Sequence, residues 1–178
     1  IDSFIVVENK KLKKLVDDFV IDSNEIFAKV LIDKKSPFLK SIIINRGSNS
    51  GIIKGMPVLS GMYLIGRVVE VNFLSSRVLL LNDLNSRIPV TFGDKAVQSI
   101  LTGKGEKEPE LEYLPELFLK KEGQTIFTSG KDGIFKAGIP IGKTKILEDQ
   151  VKVKLFTDPN QLSFVRVLLE TENLESNF

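Results

Sequence analysis

Residues 54–92 constrain the fold more than any other stretch. Four short apolar runs, at 58–59, 64–71, 77–81 and 88–92, follow one another with turn chemistry between each. Ser60-Gly61, residues 72–76 and residues 82–86 supply the Gly, Asn, Asp and Ser that chain reversals need. No helical period interrupts the runs. Short strands spaced this regularly build a small barrel or sandwich rather than an α/β sheet.

The same order of features returns at residues 122–169. Lys54-Gly55 corresponds to Glu122-Gly123, Ser60-Gly61 to Ser129-Gly130, and Gly66-Arg67 to Gly142-Lys143. Asp83-Leu84-Asn85 corresponds to Asp158-Pro159-Asn160, and the second copy carries a longer loop, GKDGIFKAG, after its Ser-Gly. A unit present twice predicts two similar β domains, since a solenoid needs three or more stacked repeats. The expected fold is therefore mainly β: two small six-stranded barrels related by an internal repeat, behind an N-terminal α-helix. The predicted boundaries are a helix over 1–21, a first barrel over 22–93, a second over 94–170, and a mobile tail over 171–178. The first barrel takes strands at 25–33 and 41–45 besides the four above. The second takes strands at 96–101, 111–114, 125–128, 139–147, 151–156 and 164–169, with one helical turn at 115–121.

Residues 1–19 show a 3–4 spacing in which Ile5, Asn9, Leu12, Val16 and Phe19 fall at the a and d positions of a heptad. Two readings stand: an amphipathic helix packed on its own domain, or the end of a parallel coiled coil. In the second, Leu12, Val16 and Phe19 form a dimer seam and Asn9 sets its register. The chain opens inside this pattern with neither a start Met nor a cap. It is read as a fragment, with a membrane anchor expected upstream.

The chain has no His and no Cys. That removes Ser-His-Asp and Cys-His catalysis, imidazole-built zinc sites and disulfides. Neither a metal nor a cofactor is expected, and the chain is read as a non-enzyme. The net charge of +2 is spread unevenly: residues 20–93 hold nine basic and five acidic side chains, residues 94–178 twelve and fourteen. Such a balance, with two Tyr and no Trp, argues against nucleic-acid binding. The Gly47–Gly51 loop lacks the phosphate-binding GxxxxGK[ST] order and reads as a connector. Asp83 and Asp158 each open an Asp-x-Asn turn, where the side chain bonds local backbone N–H groups. Ser129 near Lys131 has nothing to bury the lysine and so no means of activating a nucleophile. The candidate partner-binding residues are Ile134 and Phe135 in the long loop, and Leu117 and Phe118 on the helical turn. For Phe135 the alternatives are a plug for its own barrel or an exposed anchor for a partner.

The stretches NRGSNSGIIKGMPVLSGMYLIGRVVEV, SSRVLLLNDLNSRIPV, LELEYLP and TSGKDGIFKAGIPIGKT, taken in order, resemble the MreC family of bacterial rod shape-determining proteins. The resemblance departs at Lys136-Ala137, where the family commonly has Pro beside the aromatic residue. It implies a single-pass inner-membrane protein whose coiled coil and paired barrels lie in the periplasm. The barrels would be chymotrypsin-like without the protease site. The implied role is a homodimeric scaffold of the cell-elongation complex for peptidoglycan synthesis. The implied partners are the elongation penicillin-binding transpeptidase, MreD and the actin-like MreB. A periplasmic adaptor of a transport or secretion system also joins a coiled coil to β domains, and a degenerate serine protease is a third reading.

Overall fold

The alternation in the sequence resolves into twelve antiparallel strands. They are β1 (Glu25–Lys35), β2 (Lys40–Ile44), β3 (Pro57–Ser60), β4 (Tyr63–Val71), β5 (Ser76–Leu80), β6 (Arg87–Phe92), β7 (Val97–Thr102), β8 (Glu110–Glu112), β9 (Thr125–Thr128), β10 (Pro140–Leu147), β11 (Gln150–Leu155) and β12 (Phe164–Leu168). The computed structural model describes residues 24–35, 40–115, 121–133 and 135–169. The helix expected over 1–21, residues 116–120 of the expected helical turn, Ile134 and the tail over 171–178 lie outside the described residues.

The strands close into two six-membered barrels, ordered β1-β12-β3-β4-β5-β2 and β10-β11-β8-β7-β6-β9. Their membership corrects the boundaries 22–93 and 94–170. The strand at 88–92, assigned above to the first barrel, is β6 of the second; the strand at 164–169, assigned to the second, is β12 of the first. The reason is edge pairing. Without β12, the facing edges of β1 and β3 would expose a row of unpaired N–H and C=O groups. β12 pairs with both of them, from Glu25↔Leu168 to Lys29↔Phe164 on one side and at Arg166↔Leu59 on the other.

This exchange makes the internal repeat literal. With β12 counted as the first strand of its barrel and β6 as the first of the other, both rings read 1-2-3-6-5-4. The matched sequence features then fall on matched places. Gly66 and Gly142 both lie on the fifth strand, where a Cβ would stand 2.1 Å from the Leu79 carbonyl oxygen and 2.3 Å from that of Lys154. Asp83 and Asp158 both lie on the connection that leaves the sixth strand for the other barrel. As expected for an Asp-x-Asn turn, their Oδ1 atoms accept the N–H of Asn85 at 2.8 Å and of Asn160 at 2.9 Å.

Two apolar cores result, one in each barrel, and β3 and β4 serve both. Successive strand residues point to opposite faces. Val58 and Ile65 therefore fill the first barrel, while Leu59 and Leu64, 4% and 1% exposed, pack with Leu81, Ile88 and Ile126 in the second core. Tyr63 of β4 adds a ring contact to Phe156, just past β11, at 4.7 Å between centroids. In the turn just before Tyr63 the Gly61 carbonyl accepts the Nε–H of Arg166 of β12 at 2.8 Å, and Arg166 also holds Glu25 Oε1 at 2.5 Å.

Candidate functional site

On the first barrel, β2, β5 and β4 turn one face outward. Ser41, Leu79 and Arg67 form one cross-strand row, and Ile43 and Arg77 begin the next. Even-numbered Val78 and Leu80 point into the barrel, so Arg77 and Leu79 point out. Arg77 is held by its Nε–H to Glu70 Oε2 at 3.0 Å. With Lys54, Val69, Asn72 and Asn85 these residues line a groove of about 850 Å³.

The groove does not end with its barrel, because Arg67 also lines a second hollow of about 310 Å³ at the junction. The rest of that lining belongs to the second barrel: Arg87 and Pro89 of β6, Ile100 of β7, Tyr113, and Asp132 and Phe135 of the β9–β10 loop. Asp83 sets the crossing between the two. Fully buried, it accepts the Lys40 N–H on Oδ2 at 2.7 Å as well as that of Asn85. Gly103 completes the fit: a Cβ there would meet the Asp83 carbonyl oxygen at 1.8 Å. The combined lining carries four cations, Lys54, Arg67, Arg77 and Arg87, against the carboxylates of Glu70 and Asp132.

Tyr113 stands out on this surface. Its side chain is 81% exposed and its backbone is left-handed, with φ of 61°. Such a conformation is uncommon for a non-glycine residue and concentrates at working sites. Next to it the Glu112 carboxylate is bonded to the Lys104 ammonium. That hydrogen bond holds the Glu112 carboxyl below its usual range and lifts the Lys104 ammonium above its own.

The residues named from the sequence fare differently. Asn9, Leu12, Val16, Phe19, Leu117, Phe118 and Ile134 lie outside the described residues. Phe135 takes the buried alternative. At 4% exposure it joins the second core and shows only an edge to the junction hollow, so it is not an exposed anchor. Its loop is fastened by Thr128, whose hydroxyl donates to the Lys136 carbonyl at 2.6 Å and accepts the Ile139 N–H at 2.9 Å. Ser129 Oγ accepts the Lys131 N–H, at 3.4 Å. Among the described residues no group of three His, Cys, Asp or Glu side chains is placed to hold a metal. The sequence reading missed Arg67, Arg87 and Tyr113. The available signal for Tyr113 was a lone aromatic in LEYLP, one of only two tyrosines in the chain.

Two interlocked six-stranded barrels with an open basic groove across their junction define a paired-barrel protein. The model of the rod shape-determining protein MreC, barrel core, matches residues 30–169. The cell shape-determining protein MreC of Caulobacter vibrioides is 40% identical over 143 residues, which are 80% of this chain and 41% of that protein. The crystal structure of MreC from Pseudomonas aeruginosa superposes with a TM-score of 0.77 at 30% identity, covering 83% of this chain and all of that one. The chain belongs to the MreC family of rod shape-determining proteins. It spans half or less of the length of the curated relatives it matches. The fold is also shared, at 18% identity and a TM-score of 0.62, with MreC in a complex between Penicillin-Binding Protein (PBP2) and MreC from Helicobacter pylori, covering 82% of this chain and 99% of that one.

Proposed function

We propose that this chain is a non-enzymatic scaffold of the cell-elongation machinery that docks a penicillin-binding transpeptidase in the groove across its two barrels. The observation that carries the reading is the family match over residues 30–169. The Helicobacter pylori relative, whose fold is the same, pairs with a penicillin-binding protein. The groove supplies what a docking surface needs. It combines an exposed aromatic, three arginines, of which Arg77 is held by Glu70, and an apolar floor at Ile43 and Leu79. Leu117, Phe118 and Ile134 are proposed to extend the same surface. In this reading the chain works outside the cytoplasm. A membrane anchor and MreD link it to MreB, and it pairs with a second copy along Leu12, Val16 and Phe19.

Interferometry with the extracytoplasmic part of the transpeptidase tests the docking. The fragment binds saturably, Tyr113→Ala weakens binding about 30-fold, as truncation of an interface anchor does, and Arg67→Glu also weakens it. Binding unchanged by both substitutions would move the contact off the groove. No binding by a folded fragment would refute the pairing.

A further inference from the structure

We propose that Lys143 and Lys154, on the outer face of β10 and β11, form a docking surface for a segment of a partner protein that carries an acid at every second residue. In the register of these strands Lys143 lies directly opposite Lys154, and Lys145 directly opposite Lys152. Opposed residues project from one face of the sheet, and like charges placed so repel. Thr144 between Lys143 and Lys145, and Val151 and Val153 beside Lys152 and Lys154, are buried in the barrel, so the four lysines project outward. This stretch of the chain, residues 94–178, has an excess of acidic over basic side chains, so two lysine pairs stacked together are not a by-product of a basic composition.

The two pairs are treated differently by the rest of the molecule. Lys145 meets Glu108 at 3.5 Å, and Lys152 meets Glu106 and Glu110, each at 3.7 Å. Those three carboxylates come from every second residue of one connecting segment, Glu106-Lys107-Glu108-Pro109-Glu110. The adjoining pair, Lys143 and Lys154, is exposed and has no ion pair among the described residues. The protein thus shows in its own fold what satisfies such a pair: a segment with an acid at every second residue, bent before Pro109 and joining the sheet at Glu110. It leaves the neighbouring pair open to a second one.

An anionic bilayer is the weaker match, since lipid-binding clusters carry roughly four to eight uncompensated cations, and here two of the four lysines are already neutralised. The surface is separate from the cross-barrel groove, none of whose lining belongs to β10 or β11. It does not depend on the transpeptidase reading.

The test is fluorescence anisotropy with a labelled heptapeptide carrying Glu at alternate positions, titrated with the chain at low and at physiological salt. Binding is saturable and tighter at low salt. Lys143→Glu and Lys154→Glu each weaken it about tenfold or more, while Lys131→Glu, an exposed lysine of the β9–β10 loop, leaves it unchanged. The same Lys143→Glu variant, now facing Lys154 with opposite charge, melts about 1–3 °C higher. The proposal is overturned if the peptide fails to bind or if Lys131→Glu weakens binding as much. A fall in melting temperature for Lys143→Glu also overturns it. So does capture of the chain by phosphatidylglycerol vesicles through Lys143 when the peptide is not bound.

Discussion

Arg166→Met is the substitution through which the exchanged strand can be weighed. Arg166 and Glu25 are 8% and 12% exposed at the side chain, and the guanidinium also serves the Gly61 carbonyl through Nε at 2.8 Å and a terminal nitrogen at 2.5 Å. Glu25 Oε2 is buried with no hydrogen-bond partner among the described residues, so the carboxylate relies on Arg166 through its other oxygen. Removing one member of a buried pair leaves a desolvated charge and costs about 3–5 kcal/mol. A domain of ordinary stability has about 5–15 kcal/mol in total, so the loss is a large share. With a urea slope of about 2 kcal/mol per M, the midpoint falls by about 2 M. Urea unfolding is followed by far-UV circular dichroism, and by Tyr63 fluorescence in a Tyr113→Phe background, because Tyr63 packs on Phe156 beside this pair. Replacing both partners, Glu25→Leu with Arg166→Leu, recovers most of the loss, since no charge is then stranded. A single variant within about 1 kcal/mol of the parent, or a double variant no better than the single, would refute the argument that this pair fastens the strand.

The repeat provides paired predictions for thermal or urea unfolding. Gly66→Ala and Gly142→Ala each place a methyl against a carbonyl oxygen, at 2.1 and 2.3 Å, and each costs about 1–3 kcal/mol or more; a neutral effect at either would mean the strands part easily there. Asp83→Ala orphans two backbone N–H groups at a fully buried site and costs about 2–3 kcal/mol, whereas Asp158→Ala, at a 40% exposed side chain, costs less than about 1 kcal/mol; equal losses would contradict the assigned burial. For the Glu112–Lys104 pair, the carboxyl is lowered by its hydrogen bond to Lys104, so its stabilisation is present above the ordinary carboxylate range and is lost as pH falls through the depressed value. The raised Lys104 contribution is present below the ordinary lysine range and is lost as pH rises through the elevated value. Glu112→Gln flattens both limbs by no more than about 1 kcal/mol, because the pair is partly solvated; an unchanged pH profile of stability would show that the pair does not persist in solution.

The strands were legible as short apolar runs, some of them alternating as at 25–33 and 88–92, and from the turn residues between them. Barrel membership was not, because it is decided by pairings far apart in sequence: Glu25 and Arg166 are 141 residues apart. β6 and β12 each carry an apolar pattern that fits either barrel, so their local sequence is silent on the choice. The repeat nevertheless held the answer. The Asp-x-Asn turns at Asp83 and Asp158 were matched as turns, and reading the strand after each as the first of the other barrel yields the exchange. The groove was less legible still. Arg67 and Arg87 belong to different barrels, and only the crossing fixed by Asp83 and Gly103 brings them to one lining. Phe135 illustrates the limit of residue type alone: an aromatic between glycines fits a plug or an anchor equally well, and packing in the second core decides for the plug.

The most direct measurement of the docking role is a hydrogen-exchange footprint of the fragment saturated with the extracytoplasmic part of the penicillin-binding transpeptidase. Slowed exchange in β4, β5 and the residues around Tyr113, together along the cross-barrel groove, is the predicted result. Saturation with no slowing in any of these three segments would contradict docking in the groove.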